Sequence, residues 1–224
     1  MNNSKYEAVL FDLDGTLLDT ALDLGMATSH VLSLYGFPPI SDETARTHAS
    51  DGMRALLKSG IPESEHHKYD FEAMRLQFLP YYHEHIADRT CYFNGTAELI
   101  MALKRHGIPY AVVTSKPDHL ACRVLGKFPE LADIGVIVGC DTLPVSKPNP
   151  EPLFYACRKL NVNPEKCLYV GDHIRDIEAG HNAGMETALA LWGYIKDKSN
   201  PQAFGADYVA EDFRKLAQII GVEI

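Results

Sequence analysis

The sequence predicts an α/β fold, a parallel sheet covered by helices on both faces, with an all-helical insertion after its first strand. Three observations carry this. Residues 8–11 form a short apolar run that ends at acidic residues and a glycine, the pattern of a buried strand opening into a polar site. Residues 19–88 show helical periodicity and no strand pattern. From residue 89 onward strand and helix patterns alternate, which implies parallel strands joined by right-handed crossovers. The expected division is a core of residues 1–18 and 89–224 and a helical block of residues 19–88.

The helical block begins where Asp19 or Thr20 caps a helix whose Leu24, Thr28, Val31 and Tyr35 share one face. Gly36 and the following Phe37-Pro38-Pro39 stop it. Ser41 starts a short helix, with acidic residues in its first turn, that fades near His48. Residues 48–52 read as a polar loop, and a helix from Met53 closes at Gly60. Residues 62–88 are mostly helical, with Phe71, Met74, Phe78, Leu79 and Tyr82 as the apolar stripe, and Pro80 is expected to kink or restart that helix. In the core, strands are expected at 110–114, 135–140, 167–171, 187–192 and 207–210. Helices are expected at 96–105, 118–128, 151–160, 174–183 and 212–220.

Composition narrows the function. At 224 residues and 46% hydrophobic, the chain can bury a sizeable core. A formal net charge of −9 argues against general affinity for nucleic acid or an anionic membrane, so an anionic substrate needs a local positive cluster or a metal. The five cysteines have no C-x-x-C spacing and read as reduced thiols. The opening Met1-Asn-Asn-Ser-Lys5 has no signal-peptide pattern and no apolar run reaches membrane-spanning length, so a cytoplasmic protein is expected.

In open α/β sheets chemistry gathers beyond the carboxyl ends of the strands. The residues there are Asp12 and Asp14, Thr114 and Ser115, Lys147, and Asp172 with Asp176. Asp12 and Asp14 are two apart on an extended chain and project to one side, where like charges call for a cation or a shared proton. Asp172 opens a helix and Asp176 is four residues on, so both can lie on one helical face. Oxygen-only ligands with room for water suit Mg²⁺ better than zinc. None of the ten histidines has metal-binding spacing. Thr114 suits a phosphate oxygen, and Lys147 can balance the carboxylates and bind phosphate.

Asp12-Leu-Asp-Gly-Thr16, Val113-Thr-Ser-Lys-Pro117, Ser146-Lys-Pro-Asn-Pro150 and Gly171-Asp172-x-x-x-Asp176-Ile-x-Ala-Gly180 resemble, in order, the four motifs of the haloacid dehalogenase superfamily. The helical block resembles the cap of its phosphoglycolate phosphatase-like branch. The resemblance implies a Rossmann-like core with an inserted all-helical cap and a phosphatase acting on a small phosphorylated substrate through an aspartyl phosphate. It implies Asp12 as nucleophile and Asp14 as acid and base, with Thr114 and Lys147 holding the phosphoryl oxygens. Mg²⁺ would be held by Asp12, the Asp14 carbonyl and Asp172, with Asp176 binding directly or through water. Gly15, Thr16, Ser115 and Lys116 are the expected core substrate contacts. His48, Ser50 and Arg54 are the expected cap contacts, Arg54 meeting a substrate carboxylate. His173 departs from the family, whose members commonly carry a small or acidic residue there; it bears on metal hydration or pH response. A β-phosphoglucomutase-like phosphotransferase fits the same motifs. Nucleic-acid and membrane partners are not expected, and the chain is read as a monomer or homodimer.

Overall fold

A computed structural model describes residues 4–132 and 134–224. Residues 1–3, assigned from sequence to the core and read as lacking a signal pattern, lie outside the described residues. The chain runs β1 (Ala8–Phe11), β2 (Leu18–Asp19), α1 (Ala21–Leu34), α2 (Asp42–His48), α3 (Met53–Ser59), α4 (Phe71–Glu84), β3 (Cys91–Tyr92), α5 (Thr96–His106) and β4 (Tyr110–Val113). It continues α6 (Asp118–Leu125), β5 (Ile137–Val138), α7 (Glu151–Leu160), β6 (Cys167–Gly171), α8 (Ile174–Asn182), β7 (Glu186–Ala190), β8 (Tyr208–Ala210) and α9 (Phe213–Ile220). It forms two compact units, Asp19–Cys91 and the remainder, and the short strands β2 and β3 pair where the chain passes between them.

The larger unit is built on a six-stranded sheet of order β5-β4-β1-β6-β7-β8, with every neighbouring pair parallel. β1 is central and all four of its residues are buried, as a continuous apolar run in a doubly covered sheet must be. Strand-period packing is visible on one face: Ala8 and Leu10 of β1, Ala111 and Val113 of β4 and Tyr169 of β6 pack with Leu153, Ala156 and Cys157 of α7. After β1 the chain builds outward through β4 and β5, then returns to the other side of β1 with β6. Strand order reverses between β1 and β6, where open α/β sheets place their ligand sites at the carboxyl ends. The residues that follow β1 and β6, Asp12 and Asp172, are at that reversal.

β5 is shorter than the 135–140 expected. Beyond Val138 the Gly139 N–H donates to Thr142 Oγ1 at 2.9 Å and the Cys140 N–H to Lys116 O at 3.0 Å, so the loop takes the backbone groups a longer strand would have paired. α6 stops at Leu125, with Gly126 as its C-terminal cap, and not at 128.

In the helical unit α1 packs on α2, α3 and α4. Leu24, Thr28 and Val31 are buried on that face, while Tyr35 sits just past the helix end. The Ser41 hydroxyl accepts from the Thr44 N–H and caps α2. Residues 49–51 form a 3-10 turn where a plain loop was expected. α4 runs unbroken through Pro80, against the expected kink or restart. Pro80 and Leu76, whose carbonyl loses its partner there, are both exposed, so that oxygen lies on the solvent side of the helix while Met74, Phe78 and Tyr82 anchor the opposite face.

The unit extends to Cys91 because Asp23, buried in α1, accepts from the backbone N–H groups of Arg89 (2.8 Å) and Thr90 (2.9 Å) and from the Thr90 hydroxyl. Asp23→Ala removes the acceptor of three part-buried donors and should destabilise this unit by about 2–4 kcal/mol. Urea unfolding followed by circular dichroism measures it; an unchanged midpoint would show that water replaces the carboxylate.

Candidate active site

β1, β4 and β6 deliver their carboxyl ends to one place. The Asp12 N–H donates to Val170 O at 2.8 Å, which extends the β1–β6 ladder by one bond and fixes where the Asp12 side chain begins. Lys147 enters from the loop between β5 and α7, and its side chain is 2% exposed. Burying an ammonium costs several kcal/mol, on the order of the idealised ionic penalty reduced by relaxation, unless partners surround it. Lys147 has them. Its Nζ donates to Asp176 Oδ1 (2.6 Å), Tyr169 Oη (2.9 Å) and Val113 O (3.1 Å). Asp12 Oδ1 is also 3.0 Å from Nζ. An ammonium has three protons, and all three are directed elsewhere. Asp12 Oδ1 is therefore attracted by the charge but, among the described residues, receives no hydrogen bond.

Charge and burial act against each other here. Burial pulls the Lys147 ammonium down, and the charges of Asp12 and Asp176 outweigh it, holding the group well above its ordinary value. Burial pushes the Asp12 carboxyl up; Lys147 opposes this and Asp176 adds to it. Burial also raises the Tyr169 phenol well above its usual range, with Lys147 opposing.

Asp172 and Asp176 do not share a helical face. Asp172 precedes α8, whose cap is His173, and Asp176 lies in the first turn. His173 Nδ1 accepts from the Arg175 N–H, and Asp176 Oδ2 accepts from the His173 N–H at 3.0 Å. The departure from the family at 173 is thus a helix cap, a role a small polar or acidic residue also fills. Asp172 Oδ2 accepts from the Tyr194 N–H (2.8 Å) and Oδ1 from the Thr16 hydroxyl (3.3 Å). Glycines make room for these carboxylates. A Cβ on Gly15, which has φ +81°, would meet Asp172 Oδ2 at 2.4 Å, and one on Gly171 would meet Asp176 Cβ at 2.4 Å.

One oxygen from each of Asp12, Asp172 and Asp176 lies within 4.8 Å of the others. These three carboxylates face the single ammonium of Lys147, so when ionised they carry two negative charges that it does not compensate. An all-oxygen donor set, a surplus of two charges and a buried oxygen without a donor fit a hard divalent cation.

Asp14 has its own lysine: Lys116 Nζ is 3.1 Å from Asp14 Oδ1, and the Lys116 side chain is 4% exposed. Thr114 is buried at the end of β4, where its Oγ1 accepts from the Lys116 N–H. Thr16 is buried against Asp172, and Ser115 is exposed. The structure thus gathers Asp12, Asp14, Gly15, Thr16, Thr114, Lys116, Lys147, Asp172 and Asp176 in the larger unit. His48, Ser50 and Arg54 belong to the helical unit. There His48 lies 3.5 Å from Asp51, Ser50 is in the 3-10 turn, and the Arg54 guanidinium stands over the Phe71 ring at 5.8 Å. Sequence reasoning missed Tyr169. Its signal was a phenol within a fully buried strand, since a buried hydroxyl needs a partner.

A family model described as haloacid dehalogenase-like hydrolase matches residues 9–190. The chain is 36% identical over 220 residues to N-acetylmuramic acid 6-phosphate phosphatase of Pseudomonas aeruginosa, covering 98% of this chain and 97% of that one. It is 35% identical over 216 residues to phosphoglycolate phosphatase of Xylella fastidiosa, covering 96% and 93%. The crystal structure of a predicted phosphoglycolate phosphatase from Haemophilus somnus superposes with a TM-score of 0.83 at 28% identity, covering 97% and 99%. The chain belongs to the haloacid dehalogenase-like hydrolase family. It is an enzyme of the phosphoric monoester hydrolase class, the activity shared by the names of these relatives. Among the described residues no helix is long and apolar enough to cross a membrane.

Lys147 and Tyr169 keep their protons to higher pH in the folded chain than at their ordinary values of 10.5 and 10.0. The unfolded chain loses those protons first, so this contribution is complete below about pH 9 and declines as pH rises past 10. Equilibrium unfolding between pH 8 and 11 should show that decline. Lys147→Met should cost about 3–5 kcal/mol at neutral pH, because it strands Asp12 and Asp176; a cost below 1 kcal/mol would contradict the ion-pair account.

Proposed function

We propose that the protein hydrolyses a small phosphate monoester, with Asp12 as the group that takes the phosphoryl. The observation that carries this is Asp12 Oδ1 itself: buried at the strand-order reversal, oriented by a lysine charge, and receiving no hydrogen bond among the described residues. In the first step an Asp12 carboxylate oxygen attacks phosphorus and the ester P–O bond breaks, while Asp14 gives its proton to the departing alkoxide. In the second, Asp14 takes a proton from water as the water oxygen attacks phosphorus. The Asp12–phosphoryl bond then breaks and phosphate leaves. Lys147 and Thr114 hold phosphoryl oxygens, and Lys147 keeps Asp12 directed as charge moves from carboxylate to phosphate. Asp12, the Asp14 carbonyl, Asp172 and Asp176 would hold Mg²⁺, which neutralises charge on the transferring group.

The helical unit acts as a cap that selects the leaving group, with His48, Ser50 and Arg54 as its contacts. Both substrates named among the relatives carry a carboxylate in addition to the phosphate ester, and Arg54 is the cation suited to it. The substrate class is thus a carboxylate-bearing phosphate monoester.

Asp12→Asn should lower turnover by about 10⁴-fold or more with an unchanged thermal midpoint; retained activity would refute the nucleophile assignment. Chelation should remove activity and Mg²⁺ restore it, and Mg²⁺ should raise the thermal midpoint of the wild type but not of Asp172→Ala. A panel of phosphoglycolate, N-acetylmuramic acid 6-phosphate and glucose 1-phosphate should show phosphate release favouring the acidic esters. Arg54→Ala should erase that preference, and an equal loss on all three would remove Arg54 from the account. Transfer to a sugar in place of release would favour a phosphoglucomutase-like phosphotransferase.

A further inference from the structure

We propose that Lys116 is a positioning residue for Asp14, acting on the reaction through that carboxylate and not through the phosphoryl group. The inference rests on the reading of Asp14 as proton donor and acceptor. Resemblance alone groups Lys116 with the substrate contacts; the geometry directs it elsewhere.

The two aspartates of the first motif are each held by a different buried lysine. Lys147 serves Asp12 at 3.0 Å and Lys116 serves Asp14 at 3.1 Å. The Lys116 side chain is 4% exposed, so it is not one of the mobile surface lysines whose ion pairs contribute little. Its backbone is fixed on both sides. The Lys116 N–H donates to Thr114 Oγ1 at 3.2 Å, and the Lys116 carbonyl accepts from the Cys140 N–H at 3.0 Å. The Asp14 backbone is fixed as well, through its bridge to Leu18 and the adjoining Gly15 N–H to Leu18 O bond. With both ends anchored, the Lys116 contact at Oδ1 sets the direction of the Asp14 carboxyl group in either protonation state. A proton donor misdirected by about 1 Å loses much of its effect, since proton transfer needs heavy atoms within hydrogen-bond reach.

This role has a signature that phosphate binding lacks. A donor matters when the leaving group needs a proton, whereas a phosphoryl contact matters for every ester. The measurement is kcat/KM on p-nitrophenyl phosphate, whose phenolate departs unprotonated, and on phosphoglycolate, whose alkoxide does not. Lys116→Met should lower kcat/KM for phosphoglycolate by about tenfold more than for p-nitrophenyl phosphate. Lys116→Arg, which keeps the charge, should recover part of that difference. If Lys116→Met does not fold, Lys116→Gln is read on the same pair of esters.

In an Asp14→Asn background the Lys116 substitution should add little further loss on phosphoglycolate. Equal losses on both esters, or fully additive losses in the double variant, would overturn the proposal and return Lys116 to phosphate binding. Asp12→Asn run alongside separates the two levels. An active Asp12→Asn enzyme defeats the phosphoryl-acceptor reading whatever the Lys116 ratio is. With Asp12→Asn inactive, the ratio between the two esters alone decides the role of Lys116.

Discussion

One buried ammonium group, that of Lys147, organises the carboxyl end of the sheet. It touches the β4 carbonyl of Val113, the β6 phenol of Tyr169, the α8 carboxylate of Asp176 and the carboxylate of Asp12 beyond β1. None of these charges is tolerable alone at such burial. Each strand must end at the right length and each loop must return, or a charge is left unpaired. The cost of error ties four distant stretches of chain to one geometry. It also explains why the ion pairs here differ from the exposed ones elsewhere, such as Arg75 with Glu72, which solvent screens.

The charges of this cluster do not cancel. One lysine, Lys147, faces the carboxylates of Asp12, Asp172 and Asp176, and Asp12 Oδ1, though 3.0 Å from its Nζ, receives no hydrogen bond among the described residues. Gly15 and Gly171 let Asp172 and Asp176 approach within distances a side chain at either position would block. The result is a preorganised, buried cluster whose remaining charge suits a cation. Preorganised charge of this kind acts without reorganisation at the moment of reaction. Each carboxylate of the first motif has its own lysine, Lys147 for Asp12 and Lys116 for Asp14.

Much of this was legible in the sequence because its causes are local. β1 and β6 are uninterrupted apolar runs ended by Asp or Gly-Asp, and α7 is bounded by Pro150 and a left-handed Asn161, so their limits follow from short-range chemistry. The motif residues lie at strand ends, so the sheet rule predicts that they converge. What was not legible depends on partners far along the chain. The end of β5 is set by Thr142 and Lys116, and the unbroken course of α4 through Pro80 depends on which face meets water. The place of Asp172 ahead of α8 hinged on His173 serving as the cap, which a histidine does not announce. The pairing of Lys116 with Asp14 joins two motifs whose spacing carries no trace of it.

Asp12 is proposed to carry phosphorus during turnover. The most direct measurement is an acid quench of the working enzyme, followed by borohydride reduction and peptide mapping, which converts an aspartyl phosphate to homoserine. Homoserine at position 12, formed only in the presence of a phosphate ester, is the predicted result. Turnover without modification at residue 12, or with modification at another carboxylate, would contradict the account.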